Sequence, residues 1–238
     1  MKRLRITGLV LVAVFAMSAV AQASGAEYIY QVAGSKLEAG KTVGLVSRAK
    51  TEFVLKGEET ILGITVKSET KCKKLKLNEA EKPVIVGGKP GKSEKEKIEF
   101  EECKATLGGS SCKSVTIENA ATNNEIVTVV APASKAGDLS ILFTPASGKV
   151  FTTVKFKSCG ALGSQEAKVE GTSAALVSPE KKEEVVGLLV YNEKEEITKI
   201  KKSTGTEEEV GLKFGGKKAT INGEAEVELT TKEKWGVF

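Results

Sequence analysis

Four cysteines, many glutamates and no histidine set the chemistry open to this 238-residue chain. The cysteines are Cys72, Cys103, Cys112 and Cys159, separated by 30, 8 and 46 intervening residues. A structural zinc site favours close pairs such as C-x2-C, completed by cysteine or histidine. A dithiol redox centre favours C-x-x-C. Neither spacing occurs. Without histidine there is no Ser-His-Asp or Cys-His set, and Asp138, the only aspartate, makes no calcium loop. No metal or cofactor is expected, which leaves disulfide formation as the chemistry of the sulfurs.

Other motifs fail on context. "GGKPGKS" (87–93) approaches a phosphate-binding loop, but Val86 stands where the first glycine belongs and the following "EKEKIEF" reads as strand rather than helix. Ser-x-x-Lys occurs at 47–50, 68–71, 110–113 and 178–181, always in strand or turn context and with no S-D-N or K-T-G partner. Two carboxylates suffice for a glycosidase, and a glutamate-based hydrolase is one alternative reading. No pair of glutamates is set apart by sequence, however; most alternate with lysine, as on a solvated surface.

The elements that must carry these residues are strands. Runs of four to eight residues rich in Val, Ile, Thr and Phe recur between Gly, Asn, Pro and charged punctuation, from "TEFVLKG" (51–57) to "EAEVELTT" (224–231). Even 180–202 reads as strand, because its apolar centre is β-branched and holds Gly187. The expectation is an all-β fold: an antiparallel two-sheet sandwich, jelly-roll-like or Ig-like, with two small β domains as the alternative and a seam near 160–165. "KIEFEEC" (97–103) and "VKFKSC" (154–159) share a pattern that fits either two edge strands under similar constraints or a duplicated sheet unit.

If 97–103 and 112–118 form a hairpin, Phe100 faces Val115, Ile98 faces Ile117, and Lys97 faces Glu118. Such cross-strand pairs stabilise a sheet. That register brings Cys103 to Cys112 and leaves Cys72 for Cys159, one of the three connectivities that four cysteines permit. The closed loop 104–111 would then be presented outward. Tyr28, Tyr30 and Trp235, near the ends of the chain, are the aromatic side chains expected at the surface.

The chain opens with Lys2, Arg3 and Arg5, an apolar run over 6–20, and Ala21-Gln22-Ala23. That order reads as a signal peptide over 1–23, with the secreted chain occupying 24–238. Its removal changes 36 Lys+Arg against 31 Asp+Glu into 33 against 31, a net of +2, since the leader carries three bases and no acid. So even a balance offers no nucleic-acid footprint. No later segment is apolar and long enough to be an integral membrane helix.

The stretches "FTPASGKVFTTVKFKSC" (143–159) and "LKFGGKKATINGEAEVELTTKEKWGVF" (212–238) resemble motifs of uncharacterised secreted proteins of soil actinobacteria. The resemblance implies a secreted, disulfide-bearing, mostly β protein and carries no activity. The combined expectation is a secreted or cell-wall-associated binding or structural protein without catalysis. Its partner would be a cell-wall polymer or an extracellular protein, met through loops 87–95 and 104–111. A protease inhibitor presenting 104–111 is the remaining alternative.

Overall fold

Alternation of apolar and polar residues produces strands almost throughout, because successive side chains of a strand point to opposite faces. The computed structural model describes residues 26–61, 63–178 and 180–238, so the expected leader and its cleavage site lie outside the described residues. In chain order the strands begin with β1 (Tyr30–Val32), β2 (Ser35–Lys36), β3 (Thr42–Ala49), β4 (Phe53–Ile61), β5 (Ile64–Leu77), β6 (Val84–Val86) and β7 (Lys92–Glu96). They continue with β8 (Ile98–Leu107), β9 (Ser110–Ser111), β10 (Ser114–Asn119), β11 (Thr122–Ala131), β12 (Leu139–Pro145), β13 (Val150–Lys157) and β14 (Gln165–Ser178). The last are β15 (Val186–Tyr191), β16 (Lys199–Lys201), β17 (Glu207–Glu209), β18 (Gly211–Phe214), β19 (Lys217–Leu229) and β20 (Trp235–Val237). Among the described residues only four single-turn 3-10 segments interrupt them, and no helix there is long and apolar enough to cross a membrane.

The protein is an all-β sandwich of antiparallel sheets packed together, and its pairings divide it into two lobes. In the first lobe β3, β6, β7, β11, β12, β14, β15 and β19 pair in that order, and β19 pairs back to β3. This ring leaves no free edge, which removes the usual hazard of exposed strand edges. β1, β2 and β20 form a separate three-stranded sheet, from which Tyr30 and Trp235 reach the interior of the ring. In the second lobe the order is β8, β5, β4, β19, β18, β14, β13 and β10. No ladder joins β10 to β8; one bond from the Asn119 amide to the Ile98 carbonyl, 2.7 Å, crosses that seam.

Two long strands belong to both lobes. β14 pairs with β13 and β18 up to Thr172 and with β12 and β15 from Ser173 onward. β19 changes partners likewise, leaving β4 after Asn222 and meeting β15 at Gly223. Each changeover holds a glycine with positive φ, Gly171 at +110° and Gly223 at +152°. A Cβ at 171 would stand 2.2 Å from the Gly211 carbonyl oxygen, and one at 223 would meet the Phe53 ring at 2.9 Å. Only a residue without a side chain lets these strands bend there. Residues on both sides of 160–165 therefore share one sheet, and one buried cluster runs from Phe53 and Phe143 to Phe156 and Phe214. A smaller cluster of Val127, Val129, Leu142, Ile197, Ile200 and Val210 fills the outer face of β11 and β12 beneath the 197–210 segment. It explains why "LSILF" in β12 is apolar on both faces.

Three sequence expectations are corrected. The disulfides are Cys72–Cys103 and Cys112–Cys159, not Cys103–Cys112 and Cys72–Cys159. The expected 97–118 hairpin does not form: Phe100 faces Leu75 and Ile98 faces Leu77, while Val115 faces Phe156 and Ile117 faces Val154. The turn decides this. β8 reverses over Gly108 and Gly109 so that Thr106 meets Ser111 and Leu107 meets Ser110, a register two residues away from one opposing Cys103 to Cys112. β5 in turn offers β8 a longer ladder, with Lys74 opposite Glu101 and Lys76 opposite Glu99. Tyr30 and Trp235, expected at the surface, are 2% and 6% exposed, their rings 6.3 Å apart inside the fold.

Candidate functional site

A ligand-sized depression lies on the second lobe. It is a cleft of about 780 Å3 between the β4–β5 hairpin, the β8–β9 turn and the β18–β19 hairpin. The pairings Thr106 to Glu69, Glu69 to Lys56 and Lys56 to Thr220 lay four polar side chains in one row across four strands. Glu58 and Lys67 form the next row. Lys217 and Lys218 close one side, and Thr106 and Gly109 bring part of the 104–111 segment to the wall.

The charges of the cleft are held, not free to collapse. The Lys56 ammonium donates to both Glu193 carboxylate oxygens at 2.9 and 2.8 Å, Lys218 pairs with Glu196 at 2.6 Å, and Lys217 donates to the Thr65 hydroxyl at 2.6 Å. Glu69 pairs with Lys71 at 2.8 Å. Lys67 makes no ion pair among the described residues. The walls thus offer ammonium donors, hydroxyls and carboxylate acceptors in alternation, with no aromatic side chain. The 87–95 segment contributes to a smaller groove of about 380 Å3, where Lys202 holds Glu125 at 3.1 Å and Glu208 at 3.0 Å.

The second lobe is fixed covalently beside the cleft. Cys72 and Cys103 stand directly opposite on β5 and β8. Cys112, whose amide donates to the Ala105 carbonyl at 2.9 Å, is bonded to Cys159 at the end of β13. The 159–163 turn lies over the β8–β9 turn: a Cβ on Gly160 would meet the Ser110 hydroxyl, and one on Gly108 would meet Leu162. All four cysteines named from the sequence therefore position the 104–111 wall, and none is free.

The first lobe encloses a smaller chamber of about 40 Å3, room for a few waters. Glu96 faces it from β7 and is 6% exposed. Burial raises its carboxyl to about 7, an effect that Ser93 and Asn124 partly offset by hydrogen bonding. Burial and the nearby Glu96 also push the Tyr30 phenol well above its ordinary value, and Tyr191 is raised by burial first and Glu96 second. Asn124 donates to the Ser93 hydroxyl at 3.1 Å, while the Asn124 Oδ1 and Ser173 Oγ atoms are buried without a partner among the described residues. Sequence reading missed Glu96. Its signal was slight: a glutamate two residues past Glu94, at the end of a strand whose other residues are charged apart from Ser93.

Among the described residues no three His, Cys, Asp or Glu side chains gather as metal ligands would. The chain matches no protein family, no curated protein and no solved structure.

Proposed function

We propose that this chain is a secreted, non-catalytic binding protein that holds a hydroxyl-rich segment of a cell-wall polymer in the cleft over β4, β5 and β19. The observation that carries the reading is the cleft itself. It has the volume of a ligand site, and its walls alternate lysine, glutamate and threonine across adjacent strands, which suits a chain of hydroxyl groups that both donate and accept hydrogen bonds. The two disulfides support an oxidising compartment. The tight β8–β9 turn, paired at Thr106 and Leu107, leaves little extended backbone for a protease to grasp, which favours the polymer over the inhibitor reading.

The test uses oxidised recombinant protein against purified cell-wall polysaccharides and their soluble oligosaccharides. Saturable binding, weakened at least tenfold by Lys56→Ala combined with Lys67→Ala, is the expected result. Release of reducing ends would replace this reading by the glutamate-based hydrolase. No binding to any wall polymer would end it.

A further inference from the structure

Residues three apart on a regular strand point to opposite faces; an extra residue in one strand brings them to the same face. β7 holds such an extra residue. Thr122 of β11 stands opposite Glu96 and Asn124 opposite Ser93, so Glu94 and Lys95 together face Asn123 alone. Lys95 adopts φ +61°, uncommon for a residue with a side chain. The Thr122 hydroxyl donates to the Glu96 carbonyl at 3.3 Å and holds the bulge in place. Ser93 and Glu96 therefore both turn inward, on the side of Asn124, and the three are 2%, 6% and 3% exposed in that order. Re-aiming a side chain beside a reacting centre is a recurrent use of a bulge.

The bulge thus gathers a hydroxyl, an amide and a carboxyl away from water. The Asn124 amide donates to Ser93 Oγ at 3.1 Å, so this oxygen lies against the nitrogen bonded to the amide carbon. Contact at about 3–3.5 Å is what an intramolecular addition needs. Glu96 accepts hydrogen bonds from both Ser93 and Asn124. It faces a chamber lined also by Tyr30, Phe53, Phe143, Tyr191 and Trp235, and its carboxyl, raised by burial to about 7, suits a group that takes a proton and returns it near neutrality. Among the described residues no lysine lines that chamber, so the nucleophile at hand is the serine and not an amine.

From this geometry we propose that Ser93 and Asn124 join in an intramolecular ester, with Glu96 carrying the proton. Ser93 Oγ attacks Asn124 Cγ. The Oγ–Cγ bond forms, the Cγ–Nδ2 bond breaks, and its electron pair leaves with the nitrogen. The Ser93 proton passes through Glu96 to that nitrogen, and ammonia departs. The balance needs no oxidant, water or cofactor. Ser93 and Asn124 also line the smaller outer groove, which gives the ammonia a short way out. In neutral water it becomes ammonium, which draws the step forward. Asn124 Oδ1 has no donor among the described residues, so the step runs without an oxyanion hole and is slow. It is one event per molecule and not turnover. The bond fastens β7 to β11 in the lobe without cysteines, shares no residue with the large cleft, and does not rest on polymer binding.

The test is the intact mass of the oxidised, exported chain, followed during prolonged incubation at neutral pH. The expected result is a species lighter by one ammonia that grows with time, together with a branched peptide that joins 93 to 124 and survives disulfide reduction. Mild alkali should split that peptide and leave a free carboxyl at position 124. Ser93→Ala should keep its full mass, and Glu96→Gln should slow the loss of ammonia roughly a hundredfold or more. If Glu96→Gln does not fold, Ser93→Ala and the peptides of the unaltered chain still decide. The proposal is overturned by a mass that stays at the sequence value with 93 and 124 in separate peptides. It is equally overturned by ammonia lost from a linear peptide, such as one holding Asn222 and Gly223, by the same loss in folded Ser93→Ala, or by an unchanged rate in folded Glu96→Gln. Failure of polysaccharide binding bears only on the cleft.

Discussion

The two lobes solve one problem in opposite ways. The first closes its sheet with backbone hydrogen bonds all round and contains no cysteine in its strands. The second leaves a seam between β8 and β10, and both disulfides lie in it or beside it. Where a ladder closes, every edge group has a partner. Where it does not, each disulfide fastens strands that flank the seam, β5 to β8 and the start of β10 to the end of β13, while the large cleft lies over β4, β5, the β8–β9 turn and the β18–β19 hairpin of the same lobe. Closure leaves the first lobe only a small interior, and burial there raises the Glu96 carboxyl well above its ordinary value. The open lobe has room outside but needs sulfur to keep its walls still.

Breaking the staples should give the largest effect. The bonds close segments of 31 and 47 residues, and the chain-entropy estimate gives each about 4 kcal/mol. Replacing Cys112 and Cys159 by serine should lower urea stability by that order. Hydrogen exchange should quicken first in β8, β10 and β13, while the β11–β12 ladder stays protected. Uniform loss across both lobes would erase the contrast between them.

The next effect belongs to the closed lobe and concerns pH. The folded carboxyl of Glu96 titrates at about 7, above its ordinary 4.5, so between those values the native state binds more protons than the unfolded chain. Stability from this group is complete below about 4.5, falls as pH rises through 7, and stays low above it, a change on the order of 3 kcal/mol. Glu96→Gln should remove that slope in chemical denaturation followed from pH 4 to 8. A slope unchanged by the substitution would mean the chamber is wetter than its apolar lining implies.

The smallest effect is expected at the surface. Lys56 and Glu193 are each about a third or more exposed, and such pairs contribute at most about 1 kcal/mol. Lys56→Ala should shift the urea midpoint little while weakening ligand binding in the cleft. A large stability loss would instead make this contact part of the frame.

Much of this architecture was legible because strand alternation is local. The boundaries of β10, the presence of strands β15 and β16 within 180–202, there separated by a 3-10 turn at Glu193–Glu195, and the apolar run of β12 follow from neighbouring residues alone. Pairing is not local. β8 has apolar and charged residues in the same alternation as β5 and β10, so either partner satisfies the pattern. The two-residue offset set by the Gly108–Gly109 turn selects β5, and with it the disulfide connectivity. The cleft escaped notice for a related reason: Lys56, Glu69 and Thr106 are ordinary surface residues until three ladders bring them side by side. Glu96 looked like its charged neighbours because sequence does not say which face of a short strand turns inward.

The amino-acid sequence by itself determined the all-β class and the presence of sulfurs able to cross-link, since both depend on residue type and short-range alternation. Tertiary structure alone decided which cysteines meet, that one lobe closes and the other does not, and that a single glutamate sits among five aromatic rings. Those outcomes depend on long-range register and on glycine bends at 171 and 223, where a chain must choose among partners that its local pattern makes nearly equivalent.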